Sequence, residues 1–371
     1  MKSILSVGMD VHKNSFSLCA YDGYTGEIVS ESTFASDVKL VIKFIETLKS
    51  RYENDVEIKC GYEAGCLGYS LYKSLTSRGV DCVILAPTTM QVSAKNKMVK
   101  NDRMDALNIA KNLASGSYKA VYVPDEEDVE IKEYIRMIHD FKKELKRVKQ
   151  EIYAFVLRHG YQYDGKSKWT IRYMNWIREL EMSEIQRETL NEYIAEMENL
   201  NDKINRFMNR IDEMYQSERY HEKVSKLRCF KGIETFAAMT IQVETADFER
   251  FPSAKAYASY TGLTTGEHSS GDKNNRIGIT KQGNTVIRKT LVECAQSLVK
   301  GNVYAKKSHG LKSRQKGMNV NIIAYADKAT ERLKKKYQKL IERNVPRNKA
   351  IVAVARELAC FIWGMETGNI H

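Results

Sequence analysis

The sequence lacks any apolar run that approaches the roughly 20 residues needed to cross a membrane, although it is 371 residues long. It also has few cysteines, seven, and no two of them form a Cys-x-x-Cys pair. This composition predicts neither a membrane-spanning protein nor a small module held together by disulfides. Because most of the thiols lie among apolar neighbours, we expect them to be buried and free, as in a reducing compartment.

The N-terminus has no pattern typical of a secreted protein. The chain passes directly into Ser3-Ile-Leu-Ser-Val-Gly-Met-Asp10. This segment is too short, and becomes acidic too soon, to be the apolar core of a signal peptide. We therefore expect a cytoplasmic protein.

The sequence does have an excess of positive charge, with 59 Lys and Arg residues against 47 Asp and Glu residues and a formal net charge of +12. Basic surfaces bind phosphates because they neutralise backbone charge and release counterions. A solvated basic surface without a partner would have the same composition, so charge alone favours nucleic acid only slightly. The length allows two or three domains, each with its own core.

The first part of the chain alternates between strand and helix patterns. Residues 4–9, 16–21 and 28–34 have strand patterns separated by tight turns, which predicts an antiparallel meander. The patterns that follow are helix, strand, helix, strand and helix, at residues 38–48, 56–62, 67–77, 80–85 and 105–113. This is the element order of the ribonuclease H fold.

Four acidic residues lie at the ends of these elements. Asp10 follows the first strand pattern, Glu63 ends the fourth, and Asp102 and Asp105 begin the last helix. If the two strands are neighbours, Asp10 and Glu63 project from the same end of a sheet, while the i, i+3 spacing puts the two aspartates on one helix face. Converging carboxylates suit Mg²⁺ or Mn²⁺, and a pair of such ions supports phosphoryl transfer.

Each acid also has an ordinary explanation when it is taken alone. Acids are mostly surface residues, and the first turn of a helix favours Asp102 and Asp105 through the helix dipole. The four positions together favour a metal site. His12 stands two residues after Asp10, and we expect it to be hydrogen-bonded or exposed rather than a metal ligand.

Long helices are predicted after Pro124. Apolar residues spaced alternately by three and four extend over residues 131–155 and 190–214, which predicts an antiparallel helical hairpin or a coiled coil. The exposed positions of the first helix are basic, namely Lys142, Lys143, Lys146, Arg147 and Lys149. A solvated face is the simpler explanation, and contact with nucleic acid is the alternative.

The segment between the two long helices is rich in aromatic residues, namely Tyr161, Tyr163, Trp169, Tyr173 and Trp176. These rings can stack on bases, but packing in a core explains them equally well.

A long polar loop is predicted over residues 264–284. Loops of this length are uncommon in compact domains and are often functional. Ser269 and Ser270 precede Gly271, and the cations of this region are Lys273, Arg276, Lys281 and Arg288. A hydroxyl among these cations would face groups that bind phosphate, but a serine before glycine is also ordinary turn chemistry. The chain then ends in further helices.

Seven pieces of sequence occur in a characteristic order. They are Gly8-Met-Asp10-Val-His-Lys13, Tyr62-Glu-Ala-Gly65, Asn101-Asp-Arg-Met-Asp-Ala106, Tyr260-Thr-Gly-Leu263, Ser269-Ser-Gly271, Ile279-Thr-Lys-Gln-Gly-Asn284 and Arg288. In this order the chain resembles transposases of the insertion-sequence one-ten (IS110) family, which also includes the Piv-type DNA invertases. The likeness extends over nearly the whole chain.

The resemblance implies an α/β domain followed by mostly α domains. The expected parts are a ribonuclease H-like (RuvC-like) catalytic domain at residues 1–122, a coiled-coil helical hairpin at 123–225 and a C-terminal transposase domain with a serine loop at 226–371. Asp10, Glu63, Asp102 and Asp105 would bind Mg²⁺ or Mn²⁺, and Ser270, with Ser269 as the fallback, would be the nucleophile.

The resemblance also implies a mechanism and partners. Attack by Ser270 would give a covalent 5′-phosphoserine and a free 3′-hydroxyl, which favours recombination over degradation. The expected partners are double-stranded donor and target DNA, a structured bridge RNA, and other copies of the chain, in dimers that assemble into a tetramer near the nucleoid of a prokaryotic cell.

Three alternatives stay open at this point. The chain can be a site-specific DNA invertase, or a hydrolytic RuvC-type nuclease in which Ser270 is only a turn residue. It can also be a nucleic-acid-binding assembly protein whose acids have no catalytic use.

Overall fold

The chain forms two compact units, residues 1–124 and residues 125–371. The computed structural model describes residues 3–52, 56–65, 67–91, 101–267 and 276–370. The predicted separation of the second unit into a middle domain and a C-terminal domain stays a prediction.

The N-terminal unit is an α/β domain built on one mixed sheet. Its elements are β1 (Ser3–Val11), β2 (Ser15–Asp22), β3 (Ile28–Ala35), α1 (Val38–Arg51), β4 (Val56–Glu63), α2 (Ser70–Thr76), β5 (Asp81–Leu85) and α3 (Asp102–Ser115). The strand order is β3-β2-β1-β4-β5. Strand β2 is antiparallel to β1 and β3, whereas β4 is parallel to β1 and β5. The predicted meander and the strand and helix order after it are confirmed.

Helices cover both faces of this sheet. Alternate residues Leu5, Val7 and Met9 of β1 are fully buried and share a core with α1 and α2. The intervening residues of β1 point to the opposite face because side chains alternate along a strand. Helix α3 lies on that opposite face, where Ile109 and Leu113 pack with Leu85.

The C-terminal unit is mostly helical. Its elements are α4 (Glu126–Arg158), α5 (Ile171–Arg178), α6 (Glu184–Tyr215), α7 (Glu218–Arg228), α8 (Thr235–Thr245), α9 (Ala254–Tyr260), β6 (Thr265–Glu267), β7 (Arg276–Ile279), α10 (Thr285–Leu298), α11 (His309–Gln315), α12 (Val320–Glu342) and α13 (Arg347–Glu366). A large apolar core connects its helices.

The long helices α4 and α6 form an antiparallel hairpin. The ring of Phe155, near the end of α4, lies 6.1 Å from that of Tyr193, near the start of α6. At the other end, Tyr134 lies 5.9 Å from Phe207. The predicted hairpin is therefore present, while supercoiling into a coiled coil stays a prediction.

The aromatic residues between these helices form a packed cluster. Tyr173 is 1% exposed, and its ring centre lies 5.0 Å from that of Tyr163, 5.2 Å from that of Trp169 and 5.7 Å from that of Trp176. Core packing therefore explains Tyr173, one of the two explanations that the sequence left open.

The prediction of a continuous loop over residues 264–284 was wrong, because parts of this segment form strands. Strands β6 and β7 pair there in an antiparallel manner, and the Thr280 amide donates to the Thr264 carbonyl oxygen over 2.8 Å. The pairing forms although the segment is polar, because Ile279 packs against the apolar core of this unit.

The described cysteines have the state that the sequence predicted. Six are free and five of them are buried, namely Cys19, Cys60, Cys82, Cys229 and Cys294. Burial raises the pKa of Cys229 to about 11, so this thiol stays protonated and inert at neutral pH. Cys66 lies outside the described residues. Within the described ranges, no helix combines the length and the apolar composition that a membrane crossing requires.

Candidate active site

Two parallel strands bring Asp10 and Glu63 side by side. Strands β1 and β4 are neighbours in the sheet, and their register pairs Met9 with Tyr62. Asp10 and Glu63 are the next residues on the two strands, and paired residues of parallel strands face the same side. Asp10 lies within β1, which continues to Val11, rather than after the strand as its sequence pattern predicted.

Two glycines let α3 approach the sheet on this same side. Gly8 pairs with Gly61 in the register of β1 and β4. A Cβ atom on Gly8 would lie 2.2 Å from the Ala106 carbonyl oxygen and 2.3 Å from the Ala110 amide nitrogen, so only glycine fits here. Asp10 stands two residues after Gly8, on the same face, and therefore points towards the beginning of α3.

The first turn of α3 carries the other two acids. The Asn101 side chain caps the helix by accepting a hydrogen bond from the Met104 amide over 2.8 Å. Asp102 and Asp105 follow with i, i+3 spacing. Between them, Arg103 forms an ion pair with Glu31 of β3. The cap marks where the helix begins, and the ion pair adds one exposed contact between its first turn and β3.

His12 lies beside these acids and is both exposed and hydrogen-bonded to Asp10, as the sequence predicted. Its Nε2 atom lies 3.2 Å from Asp10 Oδ2 and 3.7 Å from Asp102 Oδ1. One possible ligand atom from each of Asp10, His12 and Asp102 lies within 4.8 Å of the others. The residue follows β1 at the start of a tight turn, and its position two residues after Asp10 was the only sequence feature that pointed to it.

The carboxylates are close enough to repel one another. The pKa of Asp10 is raised, first by burial and then by the negative charges of Asp102 and Asp105, while His12 acts in the opposite direction. Asp105 therefore belongs to the same electrostatic site, although among the described residues the group within 4.8 Å contains neither Asp105 nor Glu63. A divalent cation would remove this repulsion.

The donor set fits Mg²⁺ or Mn²⁺. Carboxylate oxygens are the protein ligands that both ions prefer, and an imidazole nitrogen is better tolerated by Mn²⁺. Asp10 and Glu63 come from the interior of a sheet, and Asp102 and Asp105 come from a capped helix. Rigid elements of this kind can hold ligands in place before an ion arrives.

The predicted nucleophiles Ser269 and Ser270 lie outside the described residues, as does Lys273. The described residues on either side of this segment approach each other closely at Tyr260 and Gly283. An added Cβ atom on Gly283 would lie 2.1 Å from the Tyr260 carbonyl oxygen, so the two turns of the predicted motifs contact each other directly.

Arg288 connects these two turns. Its guanidinium donates to the carbonyl oxygens of Thr261 and Lys281 over 3.2 and 3.1 Å. The sequence predicted that Arg288 is a cation facing phosphate. In the structure its guanidinium N–H groups bind the backbone next to β6 and β7.

A buried acid anchors the end of the same segment. The Asn284 side chain caps α10 and also donates to Glu244 Oε2 over 2.7 Å. The Glu244 side chain is fully buried, where it pairs with Arg136 over 2.9 Å and Lys132 over 3.4 Å. Helices α4, α8 and α10 are thereby connected near the β6–β7 pair.

The fold and the acids define a class of protein. A mixed sheet in this strand order, crossed by a helix whose first turn faces two strand-borne acids, is compatible with the ribonuclease H-like fold of DEDD transposases. A DEDD family model of IS110 type, described as "Transposase", matches residues 7–160. A second model, described as "Transposase IS116/IS110/IS902 family", matches residues 224–309.

Whole-chain relatives lead to the same family. The chain is 32% identical to the y4qE protein of Sinorhizobium fredii, over 97% of this chain and 87% of that protein. It is 31% identical to the transposase for insertion sequence element IS1533 of Leptospira borgpetersenii, over 92% of this chain and 97% of that protein. It is also 24% identical to the transposase for IS1111A of Coxiella burnetii, over 88% of both chains.

The chain belongs to the IS110 family of insertion-sequence transposases. The resemblance that the ordered motifs carried is therefore confirmed.

Proposed function

We propose that this transposase cleaves and rejoins DNA through a covalent 5′-phosphoserine. Ser270 is the proposed nucleophile, and Asp10, Glu63, Asp102 and Asp105 are the proposed ligands of Mg²⁺ or Mn²⁺. The observation that supports the metal part of the proposal most directly is geometric, since one possible ligand atom from each of Asp10, His12 and Asp102 lies within 4.8 Å of the others. The pKa of Asp10 is raised in addition, by burial and by the nearby carboxylates. Acids that repel one another in a fixed arrangement are typical of a site that binds cations.

The acid site has a defined task in this proposal. Bound divalent ions supply Lewis-acid stabilisation of the charge that develops on the phosphoryl group during transfer. Asp10 and Glu63 hold their positions through the sheet, and Asp102 and Asp105 through the cap of α3. His12 sits beside Asp10 and orients its carboxylate by a hydrogen bond when the imidazole is protonated on Nε2.

The serine performs the bond exchange. Its hydroxyl loses a proton, Oγ forms a bond to phosphorus, and the bond from phosphorus to the 3′ oxygen breaks. The departing oxygen takes up a proton and becomes a free 3′-hydroxyl, while the 5′ phosphate stays on the protein. Because the ester replaces one phosphodiester bond by another, a 3′-hydroxyl from a second strand can reverse the attack without ATP.

The proposed partners follow from the same reaction. Donor and target DNA are the substrates, and the net charge of +12 suits their phosphates. Two dimers form a tetramer in which the serine and the acids of one site come from different protomers. A structured bridge RNA selects the two DNA sites, and the complex works at the nucleoid.

The covalent step is tested with DNA that carries a nick beside the cleavage site, so that the released piece diffuses away. Wild-type protein should form a denaturation-resistant adduct with the 5′ end of the DNA, and Ser270→Ala should form none. Ser269→Ala is the matched control, because it removes the neighbouring hydroxyl and should leave the adduct intact.

Other results would change the assignment. Adduct formation by Ser270→Ala at the wild-type rate would mean that Ser270 is not the nucleophile, and loss only in Ser269→Ala would transfer the role to Ser269. Cleavage by wild-type protein with no adduct would identify a hydrolytic nuclease instead.

The guide RNA is tested separately by sequencing RNA that copurifies with the protein expressed from its complete element. A single structured RNA transcribed from beside the gene should be enriched over total cellular RNA. The same purification of an unrelated basic protein gives the background. If the copurified RNA had the same composition as total cellular RNA, the proposal of a guide RNA would be contradicted.

A further inference from the structure

A basic and aromatic groove runs along helix α4. Residues Lys142, Lys146, Lys149 and Tyr153 recur every three or four positions and so form one stripe on the helix. Lys168 and Trp169, from the segment before α5, close the other side. The groove has a volume of about 380 Å³, within the roughly 300–1,000 Å³ of small-ligand pockets.

The lysines of this groove differ from the neighbouring cations of the same helix. On the adjacent stripe, Lys143 pairs with Asp140 over 2.6 Å, and Arg147 pairs with Glu144 and Glu151 over 2.8 and 2.5 Å. Lys146, Lys149 and Lys168 form no ion pair with any carboxylate in the part of the chain that the structure describes. Lys142 differs from them, because its Nζ lies 3.6 Å from the Phe236 ring centre and near the charge of Glu293. Burial lowers the pKa of Lys149, so this ammonium group has lost some water and gained no anion.

Two aromatic rings face these cations. Lys149 Nζ lies 5.5 Å from the Trp169 ring centre, and Lys168 Nζ lies 3.3 Å from that of Tyr153. Trp169 has φ of 64°, a left-handed conformation that bulky residues rarely adopt. In this conformation the indole lies between Tyr173 and the groove.

A ligand of this groove must combine a flat apolar part with negative charge. Nucleotides have both, since every base has a π face and every linkage has a phosphate. In a duplex the bases are already stacked on one another, so only unpaired bases can lie against Trp169. The relevant chemistry is therefore that of a single strand.

We propose that the groove formed by Lys142, Lys146, Lys149, Tyr153, Lys168 and Trp169 binds unpaired nucleotides, with one base against Trp169 and the flanking phosphates on Lys146, Lys149 and Lys168. The proposal rests on the proposed function only in requiring nucleic acid in the complex, and it does not depend on Ser270 or the acid site. Unpaired RNA and unpaired DNA share this chemistry, and the binding assay separates them.

The test measures fluorescence anisotropy of labelled oligo(U), oligo(dT) and a duplex of the same length, with Asp10→Asn as the background to prevent cleavage. Trp169→Leu removes the flat ring but keeps an apolar side chain, and we expect at least about fivefold weaker binding of the preferred single strand. Trp169→Phe keeps a ring and should bind within about twofold. Both variants retain a Cβ atom, so the backbone cost at this position is unchanged.

Two double variants that remove the same charge distinguish a specific effect of the groove lysines from the general effect of positive charge on the helix. The double variant Lys146→Gln, Lys149→Gln should weaken binding and lower the slope of log K against log salt by about 1.4, for two lost phosphate contacts. The control Lys143→Gln, Arg147→Gln removes the same charge from the paired stripe of the same helix and should change the slope by less than half as much.

Several outcomes would overturn the proposal. They are equal effects of the two double variants, wild-type binding of single strands by Trp169→Leu, an equal loss of duplex and single-strand binding in Trp169→Leu, or no binding of either single strand. None of these outcomes affects the serine adduct assay. Failure of the groove proposal can therefore be distinguished from failure of the proposed function. A preference between oligo(U) and oligo(dT) identifies which strand the groove receives.

Discussion

Replacing Asp10 by Asn should reduce DNA cleavage by at least about a thousandfold, because loss of several kcal/mol of metal-dependent stabilisation corresponds to a factor of ten for each 1.36 kcal/mol. Asn keeps the size of Asp but removes the charge that a divalent ion requires. Glu63→Gln should have a similar effect, since Glu63 is the neighbouring residue on the adjacent strand. Cleavage of labelled donor DNA in Mg²⁺ or Mn²⁺ measures both effects, and a chelator should abolish the wild-type activity.

The control for Glu63→Gln is Glu57→Gln. Glu57 is an exposed residue of the same strand, six positions away, and its replacement should leave cleavage within about twofold, as expected for a surface change. The folded state is checked by thermal unfolding, where Asp10→Asn should be no less stable than wild type, because it removes a carboxylate whose pKa is raised by burial and by like charges. Wild-type cleavage by either site variant would rule out the metal site.

Replacing Gly8 by Ala should destabilise the N-terminal unit by about 3 kcal/mol and should abolish cleavage in the molecules that stay folded. The added Cβ atom would lie 2.2 and 2.3 Å from backbone atoms of Ala106 and Ala110, and backbone cannot rotate away as a side chain can. Helix α3 must move off the sheet, and Asp102 and Asp105 move with it. Denaturant unfolding measures the stability. The cleavage rate, divided by the folded fraction, shows whether the folded molecules have lost activity.

Gly65→Ala provides a matched control for Gly8→Ala. Gly65 is exposed and follows β4 close to the same site, and its added Cβ would meet only the Glu63 carbonyl oxygen at 3.7 Å, an ordinary contact. We expect stability within about 0.5 kcal/mol of wild type. If Gly8→Ala were as stable and as active as Gly65→Ala, close packing of α3 on β1 would not be what positions the aspartates.

Much of the N-terminal fold could be predicted from local sequence. Alternating burial of Leu5, Val7 and Met9 is a property of the strand itself, and turn residues determine where the meander reverses. The boundaries were less certain. Helix α3 begins at Asp102 rather than near Asp105 because Asn101 caps it, and α2 begins after Gly68, whose φ of +54° interrupts the helix.

The acid site could be predicted only as a set of candidates. The positions of Asp10 and Glu63 at strand ends suggested a shared edge, but their proximity depended on β1 and β4 being neighbours. His12 had no distinguishing pattern, and its place between Asp10 and Asp102 became visible only when α3 was placed on the sheet. In the same way, the sequence left the basic positions of α4 as one group, whereas the structure separates a stripe that pairs with carboxylates from one that forms no such pair with the described residues.

The sequence by itself therefore determined the period of each element, the acids at the ends, the net positive charge and the family. Tertiary structure decided which strands are neighbours, which face α3 covers and which lysines meet Trp169. The reason is that local patterns are determined by steric and hydrophobic preferences within a few residues. Contacts between distant residues instead depend on which arrangement of the elements packs closely without steric clashes. Here the close packing of α3 against Gly8 is what brings the separate acids together.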